Sequence, residues 1–81
     1  MLKKNIFVVE KLDKDVLYLI LGQRVFVLNE LAIVIWELIN QVQSQEELLE
    51  RIISQYDVPY DKAREDLRET LLFLQKADLI K

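Results

Sequence analysis

Neither cysteine nor histidine occurs in the 81 residues, and glycine and proline occur once each, as Gly22 and Pro59. Without cysteine there is no disulfide framework and no thiolate chemistry, a composition that fits a reducing compartment. Without histidine the commonest metal ligand and general base is missing. A single glycine leaves no Gly-rich phosphate loop. So few turn formers also leave little room for long loops, and nearly all of the chain is expected in regular structure. No apolar run approaches the ~20 residues needed to cross a bilayer, the longest being Val16–Leu21 and Leu31–Trp36. The basic start Met1-Leu2-Lys3-Lys4 is followed by Glu10, Lys11, Asp13 and Lys14 before any run of signal-peptide length. A cytoplasmic protein without a membrane span is the expectation.

What is present is a hydrophobic fraction of 52% with 31% charged residues, a globular balance. A chain of this length buries only roughly 60% of the surface it exposes when unfolded, enough for one core, so residues 1–81 are expected to form a single domain. The net charge of −3 is uneven, with five basic and five acidic groups in residues 1–40 and six basic and nine acidic in 41–81. Non-specific attraction to a phosphate backbone is not expected from such a balance.

Asn5–Glu10 and Asp15–Leu21 are rich in β-branched and aromatic residues, and the polar Lys11–Lys14 between them predicts a hairpin. Gly22-Gln23 predicts a two-residue turn into a third strand, Arg24–Leu28. Val16, Tyr18 and Ile20 alternate with Leu17, Leu19 and Leu21, so both faces of the second strand are apolar, and the sheet is either covered on both sides or sticky.

From Asn29, a candidate N-cap, the period becomes helical and runs to about Gln41; Ala32, Ile35, Trp36 and Ile39 recur at helical spacing in a helix apolar around most of its circumference. Ser44-Gln45-Glu46-Glu47 predicts a capping box for a second helix ending near Gln55 or Tyr56. Pro59 suits the first position of a third helix, with Tyr60, Ala63, Leu67, Leu71 and Leu74 as its core stripe to about Ala77, after which Leu79-Ile80 is expected to fold back on the core. The order is βββααα. This is an α+β class, a three-stranded antiparallel sheet followed by three helices, similar to a winged helix-turn-helix.

Chemistry finds no footing in these residues. Ser44 is better used as a cap, Ser54 lies late in a helix, and Thr70 is mid-helix with no histidine to activate it. The carboxylate pairs Glu46/Glu50, Asp61/Glu65 and Glu65/Glu69 have the spacing of a solvated helix face. No catalytic residue, metal or cofactor is expected. A DNA reader would need Lys and Arg on its last helix. Here Lys62, Arg64, Arg68 and Lys76 stand against Asp61, Glu65, Asp66, Glu69 and Asp78, so a winged-helix DNA-binding or regulatory role remains an alternative on topology alone.

A binding module fits better. In a meander the third strand is an edge whose free N–H and C=O groups can accept an added peptide strand. Pockets toward the last helix would then read side chains, with Asp66, Thr70, Phe73 and Leu74 as candidates and Phe73 readable equally as core.

Two stretches carry a family pattern. Leu28-Asn29-Glu30-Leu31-Ala32-Ile33-Val34-Ile35-Trp36 reads L-N-x-x-A-x-x-I-W, and Asp66-Leu67, Leu71, Leu74 and Leu79-Ile80 read D-[VL]-x-x-x-L-x-x-L-x-x-x-x-L-[IV]. Over residues from about 15 to 81 the chain resembles the PqqD-like proteins, or RiPP recognition elements, which bind the leader segments of ribosomally made peptides. The family often has Gly where Asp78 stands and an aromatic where Thr70 stands. The resemblance implies a peptide chaperone without activity of its own, akin to the discrete members. It implies a leader strand along Arg24, Val25, Phe26, Val27 and Leu28, with Asp66, Thr70, Phe73 and Leu74 lining the cleft. The implied partners are a precursor peptide and a maturation enzyme, either a radical SAM enzyme or, in lasso-peptide biosynthesis, a leader peptidase. No nucleic acid is implied. The apolar second face of the sheet becomes a candidate surface for that enzyme or for a homodimer, unless Met1, Leu2 and the termini cover it.

Overall fold

The computed structural model describes residues 2–81, apart from the side chain of Asn29. Strands β1 (Val9–Asp13), β2 (Val16–Leu21) and β3 (Arg24–Asn29) form an antiparallel meander in the order β1-β2-β3. Helix α1 (Leu31–Leu38) follows and tightens into a 3₁₀ turn at Ile39–Gln41; then come α2 (Gln45–Gln55) and α3 (Tyr60–Lys76). The predicted βββααα order is therefore the observed one.

The first hairpin is displaced from its predicted position. The strand starts at Val9 rather than Asn5, and the turn is Lys14-Asp15, with Lys14 at φ 58°, rather than Lys11–Lys14. The shift places Leu12 opposite Leu17 and completes a five-pair ladder from Val9↔Ile20 to Asp13↔Val16. Strand propensity at Asn5–Val8 yields to two other demands. Asn5 Oδ1 accepts from the Phe7 N–H at 3.0 Å in a local turn, and the Asn5 N–H donates to Leu79 O at 2.9 Å. Lys4 bridges Ile80, so the start of the chain pairs with its C-terminal tail.

The strand-to-helix junction also moves. Asn29 remains in the ladder opposite Val16, which leaves the cap position to Glu30, at φ 50° and ψ −125° with no side-chain bond to the first turn. The proposed Asn29 side-chain cap lies outside the described residues. At α2 the predicted box forms with one change. Ser44 Oγ accepts from the Glu47 N–H at 3.1 Å, while Glu47 Oε1 accepts from Gln43 N–H at 3.1 Å, one residue before the cap.

The core lies between the inner sheet face and the helices. Leu17, Leu19 and Leu28 supply the sheet side, and Ile35, Trp36, Leu48, Ile52 and Leu67 the helix side. On α3 the stripe Ala63, Leu67, Leu71 and Leu74 is buried, but Tyr60, expected as its first member, is 57% exposed at the start of the helix, where it lines an open surface pocket with Leu49 and Ile53 of α2. Trp36 is fully buried, with Lys4 Nζ 4.6 Å from its ring centroid. Its indole Nε1 is the one buried side-chain polar atom without a hydrogen-bond partner among the described residues. After α3 the chain turns at Asp78, which takes φ 63°; the Leu79 N–H returns to Leu74 O at 2.9 Å, and Leu79 and Ile80 enter the core as predicted.

Candidate functional site

Strand β3 closes the sheet on one side, and no strand among the described residues pairs with its outer edge. The two-residue turn Gly22-Gln23 sets which of its groups are free. Leu21 and Arg24 flank the turn as a hydrogen-bonded pair, so the backbone groups of Arg24, Phe26 and Leu28 point to β2 and those of Val25 and Val27 point away from the sheet. Gly22 supports this turn with φ 64°, a region costly for other residues.

Side chains alternate along the same strand. Val25 and Val27 stand on the outer face, 59% and 55% exposed, while Arg24, Phe26 and Leu28 turn toward the helices. Across from them, Asp66, Thr70 and Phe73 follow one another at helical spacing on α3, and Ala77 caps its end. The rings of Phe26 and Phe73 meet edge to face, 5.8 Å between centroids and 74° between planes. Near one end, Arg24 Nη2 donates to Ala77 O at 3.2 Å and lies 3.9 Å from Asp78 Oδ2. Its guanidinium is 5.4 Å from the Phe26 ring centroid.

Toward the other end Asp66 accepts from Lys62 Nζ at 3.1 Å. That bond, and the charges of Asp66, Glu65 and Glu69, raise the Lys62 pKa above its ordinary value. Beside this pair, Glu30, Leu31, Val34, Tyr56 and Val58 line a largely apolar depression of about 480 Å³.

Of the nine residues singled out from the sequence, Arg24, Phe26 and Phe73 meet at this cleft, Asp66 lines the neighbouring depression, Thr70 lies between Asp66 and Phe73 along α3, and the backbone groups of Val25 and Val27 point outward from the strand edge. Leu28 and Leu74 are 3% and 0% exposed and stand behind the cleft as core. Phe73, readable from the sequence as either core or pocket, is 42% exposed, with its ring against Phe26. The depression around Leu31, Val34, Tyr56 and Val58 was not anticipated, since its walls come from three separate segments. The one signal for it was apolar surplus: Leu31 and Val34 one turn apart, and Val58 ahead of Pro59 in a short connection.

Among the described residues, no group of three or more His, Cys, Asp or Glu is placed to hold a metal ion, and no helix is long and apolar enough to cross a membrane. The arrangement is a groove with an open strand edge on one side and a mixed helix flank on the other.

Comparison with known proteins bears on this groove. Residues 9–80 match the family model described as coenzyme PQQ synthesis protein D, PqqD. Among solved structures, one described as TbiB1 in complex with the TbiA(beta) leader peptide superposes with a TM-score of 0.83 at 27% identity, covering 98% of this chain and 94% of that one. No curated protein matches the chain in sequence.

Proposed function

Because the chain belongs to the PqqD family, we propose that it is a RiPP recognition element that captures the leader segment of a ribosomally made precursor by adding it as a strand to β3. The observation that carries this reading is the free edge of Val25 and Val27 beside the Phe26–Phe73 cleft. The likeness to a leader-bound protein over nearly the whole chain supports it. Backbone bonds along the edge supply affinity with little regard to sequence, and the cleft reads the side chains that face it.

The protein does no chemistry itself in this reading. Residues 1–81 act as one binding domain that presents the precursor to a maturation enzyme, a leader peptidase or a radical SAM enzyme. The outer sheet face offers that enzyme an apolar surface, since Val9, Val25 and Val27 remain more than half exposed and Leu2 packs on the core instead. A second copy of the chain competes for the same face, and sedimentation equilibrium over a range of concentrations tells whether it binds there.

Fluorescence titration of a synthetic RiPP leader segment, and separately of duplex DNA, at two salt concentrations tests the function. Micromolar or tighter peptide binding with little salt dependence is the expected result. Steeply salt-sensitive DNA binding without peptide binding overturns it.

A further inference from the structure

Arg24 opens β3 and shares the cleft-facing side of the strand with Phe26 and Leu28. Its contacts with Ala77 O and with the Phe26 ring place the guanidinium at the mouth of the cleft, where its side chain is 53% exposed. The group is under-used. A guanidinium has five N–H donors, and Ala77 O is the one hydrogen-bond acceptor it meets among the described residues. The Asp78 carboxylate, at 3.9 Å, stays beyond hydrogen-bond distance.

We infer that Arg24 selects an acidic side chain in the bound peptide, two residues C-terminal to the side chain seated against Phe26 and Phe73. The inference rests on the strand addition proposed above. An antiparallel strand bonded to Val25 and Val27 places three of its residues opposite Leu28, Phe26 and Arg24 in non-hydrogen-bonded pairs, where facing side chains approach most closely.

Those three side chains point into the cleft and meet different surroundings. The first faces the apolar depression, the second the two aromatic rings, the third the free donors of the guanidinium. A carboxylate in the second position would lose water against two rings with nothing to pair it. In the third it gains charge-assisted, bidentate hydrogen bonds while keeping contact with solvent. The bond to Ala77 O already restrains the guanidinium, so less side-chain freedom is lost when the peptide arrives.

Selection from a display library of random peptides of about a dozen residues, against the folded full chain, tests the assignment. Wild type is expected to enrich Asp or Glu two residues after an apolar one. Arg24→Glu exchanges this for Lys or Arg at the same position and leaves the apolar preferences in place. Arg24→Gln keeps a donor for Ala77 O and serves where the charge reversal fails to fold; it weakens an acid-bearing peptide about tenfold, the order of one charged hydrogen bond. Asp78→Asn removes the neighbouring carboxylate and tightens the same peptide more in wild type than in the Arg24→Gln background, a dependence on Arg24 that general charge repulsion does not produce. No acidic preference in wild type, or the same preference in Arg24→Glu, overturns the role of Arg24 alone. Selected peptides that still bind Val27→Pro, or a library that yields no binder, overturn strand addition and this inference with it.

Discussion

Phe73 and Leu74 are neighbours on α3 with opposite surroundings, one ring against Phe26 at the cleft and one side chain wholly inside the core. Substituting each by alanine should therefore separate binding from folding. Phe73→Ala is expected to weaken leader binding by ~1–3 kcal/mol, as for an anchor at an interface, with little change in melting temperature. Leu74→Ala is expected to cost ~2–5 kcal/mol of stability through the cavity it leaves. Calorimetric titration and thermal melts of both variants check this; a Phe73→Ala protein that unfolds would make Phe73 core. At this scale the sequence was informative only in part. Helical spacing put both residues on the inner side of α3, but which one faced a gap depended on where β3 ended up, and that is a tertiary fact.

At the scale of elements, β3 and its junction with α1 organise the site. Val27→Pro removes an outward-facing N–H while sparing the ladder to β2, so peptide binding should be lost with helical content near wild type by circular dichroism. Binding that survives this change means another edge is used. Just beyond, Glu30 holds φ 50° and ψ −125°, a conformation suited to glycine. Glu30→Gly is expected to raise stability by ~1 kcal/mol in urea unfolding; a decrease would show that the side chain contributes more than its backbone costs. Element order, the second turn, the α2 cap and the α3 stripe could all be read from the sequence because each is a local pattern. The first hairpin could not. Its position depends on pairing between Lys4 and Ile80, 76 residues apart in the chain, which removes Asn5–Phe7 from the strand their composition favours.

At the scale of the molecule, the two ends of the chain close the core on each other. Leu79 and Ile80 are buried, and Lys81 N–H donates to Lys3 O at 2.8 Å. Removing residues 79–81 takes two buried side chains worth ~1.5–3 kcal/mol each, a large share of the ~5–15 kcal/mol that holds a domain together. The truncated chain is expected to unfold at markedly lower urea concentration, and an unchanged midpoint would mean that the tail only rests on the surface. With both ends tied down in this way, β3 is left as the sheet edge beside a groove. Backbone amide hydrogen exchange, with and without a bound leader peptide, tests its use most directly. Strand addition slows exchange at Val25 and Val27 on binding, while Phe26 and Leu28, already bonded to β2, change little. A leader that binds and leaves the Val25 and Val27 amides exchanging as before contradicts it.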